Sequence, residues 1–214
     1  MGEHDKEYWE AFYAKSGLTR EPSLFARYCA ANLVTPGHRL VEAGCGNGRD
    51  AVALANAGAS VTAIDQCEQT IARLKEEHAG VARLRFEADD FVRHPYGADE
   101  PMDAFYSRFT LHAISAAEES VLLGAVIKGL RAGGLILMEF RGRKNELNGL
   151  GRPATNEPFV FEYEGHRRRF IDTEALALRL VGAGVDILSC EERPSFSPFQ
   201  GKDETFARII GRMR

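Results

Sequence analysis

Three glycines at alternate positions, Gly44, Gly46 and Gly48, follow Arg39-Leu40-Val41-Glu42 and precede Arg49-Asp50-Ala51-Val52-Ala53-Leu54. A short buried strand entering such a turn, with a helix leaving it, offers bare backbone to a ligand, because glycine accepts positive φ and adds no side chain. Twenty-one residues after Gly44, the run Ser60-Val61-Thr62-Ala63-Ile64 ends in Asp65, a carboxylate placed to hold both hydroxyls of a ribose. A second set of groups is cationic: Arg108, then Arg141 and Arg143, then Arg167-Arg168-Arg169. A guanidinium fork holds two oxygens of one oxyanion at once. His112, in Phe109-Thr110-Leu111-His112, is a candidate general base. Two phosphate-binding loops are disfavoured. No Gly-Lys-Ser/Thr closes the turn, and the dinucleotide fingerprint needs its third glycine three residues after the second, where here the spacing is two and residue 49 is Arg.

The elements that must position these groups alternate along the chain. Strands are predicted near 39–43, 60–64, 82–87, 102–107 and 133–140, with helices near 49–57, 67–79 and 116–131. This order gives a parallel sheet covered on both faces, with ligands beyond the carboxyl ends of the strands. Glu42, Asp65, Asp89 and Tyr106 to Arg108 are therefore expected on one edge. Before the first strand, Tyr8, Trp9, Phe12 and Tyr13 share a helical face, and Ser23 caps a helix over Leu24 to Leu33. After the fifth strand, the stretch 141–169 carries seven Lys or Arg against four Glu, a net +3 that leaves the rest of the chain at −7. In it, 148–158 is predicted as a loop, and Phe159 to Tyr163 with His166 to Ile171 as a hairpin around Glu164-Gly165. Leaving the carboxyl end of a sheet strand, this insert is placed as one wall of the ligand edge. Asp172 or Thr173 opens a helix to about Ala183, and strands follow over Val185 to Glu191 and Thr205 to Arg212; apart from Lys202, nothing in this last region suggests chemistry.

The ordered set resembles the class I S-adenosylmethionine (SAM) methyltransferases. Their first motif corresponds to Val41-Glu42-Ala43-Gly44-Cys45-Gly46-Asn47-Gly48, their second-strand acid to Asp65, and their third-strand acid to Asp89 in Phe86-Glu87-Ala88-Asp89-Asp90-Phe91. Met102 to Tyr106 matches the fourth strand, and a Gly133-Gly134 turn precedes the fifth. The resemblance implies an α/β fold, with a Rossmann-like seven-stranded mixed sheet, helices on both faces and two antiparallel strands at one edge. It implies one domain over 1–214, with a helical lid at 1–34 and a substrate-side insert at 141–171. It also implies SAM as cofactor, S-adenosylhomocysteine (SAH) as product, and Glu42, Gly44, Gly46, Asp65, Gln66, Asp89, Asp90, Phe91 and Arg108 as cofactor-binding residues.

Composition narrows the partners. Of the 214 residues 44% are hydrophobic and 27% charged, and the net charge of −4 argues against a nucleic-acid partner. No apolar run approaches the roughly 18–20 residues needed to span a bilayer. Cys29, Cys45, Cys67 and Cys190 are scattered without a Cys-x-x-Cys pair, as suits a reducing cytoplasm rather than disulfides or zinc. No metal is expected, and the chain is expected to act as a monomer or homodimer on a small molecule.

The acceptor decides what else the site needs. A sugar or phenol hydroxyl must lose a proton, and His112 is the base for it; an oxygen of a phosphonate, phosphate or carboxylate already carries charge and needs anchoring. The many arginines favour the anionic acceptor. A finer resemblance, to the phosphonate O-methyltransferase type of dehydrophos biosynthesis, rests on Asp5-Lys6-Glu7-Tyr8-Trp9-Glu10, Arg27-Tyr28, Tyr106-Ser107-Arg108-Phe109-Thr110-Leu111-His112 and the arginines near 168. It implies that Tyr28 and Arg168 contact the phosphonate, with Lys202 as a third group. Two other readings use the same topology: a nicotinamide-dependent oxidoreductase, which the glycine spacing disfavours, and a SAM-binding protein without catalysis.

Overall fold

The computed structural model describes residues 9, 10, 13, 19–154, 156–199 and 201–214. Tyr8 and Phe12 lie outside the described residues, while Trp9, Glu10 and Tyr13 are helical. Seven strands form one sheet in the order β3-β2-β1-β4-β5-β10-β9: β1 (Arg39–Ala43), β2 (Ser60–Asp65), β3 (Leu84–Ala88), β4 (Met102–Arg108), β5 (Leu130–Phe140), β9 (Val185–Arg193) and β10 (Phe206–Met213). The first five run parallel, and β10 and β9 add antiparallel at the β5 edge. The parallel strands expected from the strand–helix alternation and the Rossmann-like seven-stranded mixed sheet implied by the resemblance are both found.

Alternate strand residues feed two cores, one on each face, as the period of a pleated strand requires. Leu40, Tyr106 and Leu137 join Phe25, Leu54 and Leu74 of the helices α1 (Leu24–Asn32), α2 (Arg49–Asn56) and α3 (Glu68–Glu77). Val41, Phe105, Ile136 and Met138 join Leu122 and Leu176 of α4 (Ala116–Gly129) and α5 (Thr173–Gly182). Each such leucine, fully buried, contributes about 1.5–3 kcal/mol of transfer free energy. The helices start where caps allow. Ser23 accepts from Ala26 N–H, Asp172 from Ala175 N–H, and Ser115 with Glu118 forms a reciprocal capping box.

Two boundaries differ from expectation for local reasons. The strand expected from 133 begins at Leu130, and Gly133-Gly134 sits inside it where the register against β4 shifts between Met102 and Ala104. Between Leu130 and Leu135 four residues stand opposite Asp103 alone, so the glycine pair lies in an irregular segment near the start of the strand. The insert is a three-stranded sheet in the order β6-β7-β8, made of Arg152–Pro153, Val160–Tyr163 and His166–Arg169. Its hairpin turns at Glu164 and Gly165, both with positive φ, as a two-residue type I′ turn demands. The extra strand β6 lies in the stretch expected to be a loop.

Candidate functional site

A cavity of about 860 Å³ opens over the carboxyl ends of β1, β2, β4 and β5. Its floor is the glycine loop. Gly44 and Gly46 have φ of 69° and 53°, and a Cβ at Gly46 would stand 2.5 Å from the Tyr13 hydroxyl. The Tyr13 ring fills the space where a side chain at 46 would stand, so only glycine fits here. Asp65 faces the loop: its Oδ2 accepts from Gly46 N–H at 2.9 Å and its Oδ1 from Cys67 N–H at 3.0 Å. Both oxygens keep lone pairs for a further donor.

One half of the cavity is acidic. Glu42 is 3% exposed, and its Oε2 is buried without a hydrogen-bond partner among the described residues. Burial, reinforced by Asp50 and Asp65, holds its carboxyl well above the usual range. Gln66 Nε2, next to Asp65, is likewise buried without a partner. Asp50 is saturated: it accepts from Ser23 N–H and Ser23 Oγ at 2.7 Å each and from the Tyr106 phenol at 2.8 Å. That network anchors the start of α1 to the start of α2. Arg49 also lines the cavity, with Asp50 Oδ1 at 3.9 Å from its Nε.

The acid-lined cradle suits SAM on three counts. The orphan Glu42 oxygen can take a cationic donor such as an ammonium, Asp65 can take hydroxyls, and the cavity over the glycine loop has room for the ligand's body.

The other half is cationic and aromatic. Arg108, His112, Arg141, His166, Arg168 and Lys202 all line it. Arg108 does not hang free: its Nε binds Glu139 Oε1 at 2.8 Å, its Nη2 donates to Ser197 Oγ, and its guanidinium lies 3.9 Å over the Phe109 ring. Glu139, fully buried, also receives Arg208 Nε at 2.6 Å. Arg108 was expected among the cofactor ligands. It does line the cavity, held in place by Glu139 and Ser197. Phe109 itself has φ of 63° and stacks on Phe206 with ring centroids 4.7 Å apart. A left-handed, non-glycine residue at the mouth of a cavity is strain of the kind found at functional sites.

His112 is 5% exposed, and its Nδ1 lies 3.3 Å from the Arg141 backbone nitrogen. A backbone N–H can only donate, so Nδ1 accepts. Burial first, then Arg141, His166, Arg168 and Arg169, hold the imidazole well below its ordinary range. It is therefore neutral with its proton on Nε2. His166, edge-on to Trp9 at 5.2 Å, is pushed down to about 4 by burial and by Arg168 and Arg141.

Several expected site residues fall elsewhere. Tyr28 is 43% exposed on α1 and is not among the lining residues, because Phe25, Ala26 and Cys29 form that helix's buried stripe and Tyr28 turns away. Asp89 and Asp90 also lie outside the lining. Asp89 pairs with His94 Nδ1 at 2.7 Å; Asp90 accepts from Val92 N–H and pairs with Arg93. Both follow β3, the sheet's edge strand, which sets them at the cavity's flank, whereas Phe91 reaches it. Arg143 pairs with Asp172, and Arg167 is not among the lining residues. Glu42, Gly44, Gly46, Asp65, Gln66, His112, Arg168 and Lys202 do line the cavity.

Tyr13, one of the tyrosines the sequence singles out, lines the cavity, whereas sequence reasoning missed Asp50, Ser197, Glu204 and Phe206. The 194–206 connection, expected to hold nothing chemical but Lys202, is a wall of the site. Its legible signal is Pro194-Ser195-Phe196-Ser197-Pro198, a rigid segment between two strands.

Among the described residues no group of His, Cys, Asp or Glu could hold a metal ion, and no helix is long and apolar enough to cross a membrane.

Residues 40–134 match a family model described as a methyltransferase domain. An uncharacterized methyltransferase of Synechocystis is 26% identical over 105 residues, which cover 49% of this chain and 48% of that protein. The chain thus aligns with about half the length of that curated relative. The solved structure of the glycopeptide N-methyltransferase MtfA superposes with a TM-score of 0.68 at 18% identity, covering 91% of this chain and 97% of that one. The 1,6-didemethyltoxoflavin N1-methyltransferase of Burkholderia thailandensis, solved with its substrate and SAH, superposes with a TM-score of 0.65 at 19% identity. That match covers 88% of this chain and 76% of that one. At these identities the likeness is one of fold.

Proposed function

We propose that this chain transfers the methyl group of SAM to an oxygen of a small anionic acceptor, a phosphonate being the class its site suits best, to give a monomethyl ester. When bound, SAM supplies an electrophilic methyl on a sulfonium. The acid-lined half, with Glu42, Asp65 and the glycine loop, holds that cofactor. The cationic half, with Arg168, Lys202 and His112, holds the acceptor. In the reaction a carbon–sulfur bond breaks as a carbon–oxygen bond forms, with the electron pair left on sulfur. A phosphonate dianion becomes a monoanionic ester, and no proton has to leave.

One observation carries the choice of acceptor. His112 accepts a hydrogen bond at Nδ1 from Arg141 N–H, and its environment keeps it neutral. Its remaining nitrogen therefore carries a proton, so His112 offers a donor to an oxyanion and not a lone pair to a hydroxyl. A hydroxyl acceptor would need the opposite tautomer, which would set two N–H groups against each other in a buried place. The likeness to N-methyltransferases gives no counter-argument, since function belongs to the site and not to the fold. In the proposed site the protein's work is placement and exclusion of water, not proton transfer.

An acceptor panel with purified protein and labelled SAM tests this reading. Methylphosphonate-like acids should be turned over and neutral sugars and phenols should not. Turnover confined to the neutral acceptors, abolished by His112→Ala and kept by Arg168→Ala, would overturn it.

A further inference from the structure

Arg167, Arg168 and Arg169 sit on β8, where successive side chains point to opposite faces. Arg168 lines the cavity, and its Nη1 donates to the Tyr163 and His166 carbonyls at 3.1 and 3.3 Å. Arg169 points the other way and is 8% exposed. Its Nε donates to Ile114 O at 2.8 Å and its Nη2 to Leu111 O at 3.0 Å. Nη2 also pairs with Glu119 Oε2, and Glu119, itself 1% exposed on the first turn of α4, takes Arg179 on its other oxygen. Glu157, 3.8 Å from Arg169 Nε, accepts from Ala116 N–H and ties the insert to the same helix start.

The two carbonyls that Arg169 grips flank His112 in a 3-10 turn, Leu111–Ala113. His112 is thus fixed from two sides: its ring by Arg141 N–H at the end of β5, and its backbone by Arg169 on β8. The neighbouring Arg168 belongs to the same strand. Arg169 is not among the residues that line the cavity. A guanidinium that serves two carbonyls and a carboxylate cannot be replaced by an ammonium without losing part of the set, because only the planar fork spans them together.

We propose that Arg169 is a positioning residue for the acceptor site: it locks the turn that carries His112 to the strand that carries Arg168, so that both donors converge on one acceptor oxyanion. This rests on the anionic-acceptor reading for the identity of the ligand, but not for the clamp itself.

Arg169→Lys, with Glu119→Gln as a second variant that keeps size but turns one of the two acceptor oxygens into an amide donor, tests the clamp by two separable readouts. The first is the nitrogen spectrum of His112 in isotope-labelled protein without ligand. The parent should show a single Nε2–H tautomer, and Arg169→Lys a mixture or an exchange-broadened signal. The second is the affinity for methylphosphonate in the presence of SAH, measured by calorimetry. It should fall at least tenfold in Arg169→Lys and at least threefold in Glu119→Gln, while SAH affinity stays within twofold of the parent. If Arg169→Lys does not fold, Glu119→Gln carries both readouts. A folded variant with the parental His112 spectrum and parental methylphosphonate affinity would overturn the proposal. A disturbed His112 spectrum in a protein whose parent does not bind methylphosphonate would uphold the clamp and instead sink the anionic-acceptor reading.

Discussion

Replacing Glu42 with Gln should make the protein more stable at neutral pH and weaker for its cofactor. Glu42 Oε2 is buried with no partner among the described residues, and burial with Asp50 and Asp65 raises its carboxyl well above the ordinary range. An acid whose folded value exceeds its unfolded value, about 4.3 for Glu, favours the fold through its neutral form. That stability is full below the unfolded value and is lost as pH rises through the folded one. Gln keeps the shape and carries no charge, so the variant escapes that loss. Thermal melts should coincide with the parent at pH 4 and lie above it at pH 8. The ligand side has the opposite sign. If Glu42 accepts a charged donor of the cofactor, losing that hydrogen bond costs about 1.5–3 kcal/mol, or roughly ten- to 150-fold in affinity. Calorimetry with SAH at pH 7.5 reads this directly. The parent's affinity should also climb with pH as Glu42 loses its proton, and Gln should flatten that slope. A variant with parental affinity and a parental melting temperature at pH 8 would refute the assignment of Glu42 to the cofactor.

Gly46→Val should abolish SAH binding in a folded protein, because φ is 53° and a Cβ there meets the Tyr13 hydroxyl at 2.5 Å; circular dichroism and calorimetry separate the two effects. Arg168→Ala should lower kcat/KM for the acceptor by about tenfold or more, the scale of a hydrogen bond to a charged group. SAH affinity should stay near the parent's, since Arg168 sits in the cationic half.

The sheet and the acidic, glycine-loop half of the cavity were legible because their signals are local. Period-two apolar runs, alternating glycines and a carboxylate at the end of the second strand each specify themselves within a few residues. The acceptor half was not, because its groups are set by pairings distant in sequence. Arg108 has the look of a free ligand until Glu139, 31 residues on, and Ser197, 89 residues on, are seen to hold it. Tyr28 follows an arginine in a helix, and only the burial of Phe25 and Cys29 shows that it faces outward. In Arg167-Arg168-Arg169 the strand period says that neighbours diverge. Which one meets the cavity is decided by a buried glutamate on another element, Glu119. The wall at 194–206 offered its prolines and Lys202, and the pairing of its Glu204 with Arg141, 63 residues away, is set only by the fold.

The central claim is that the acceptor brings its own charge and that no group of the enzyme takes a proton from it. The pH dependence of kcat/KM for two phosphonates that differ in second ionisation constant, such as methylphosphonate and a halomethyl analogue, tests it most directly. The acidic limb of the profile should follow the acceptor, moving to lower pH for the more acidic phosphonate, and should be unchanged in position by His112→Gln. A limb that stays fixed for both acceptors and vanishes with His112→Gln would contradict the account.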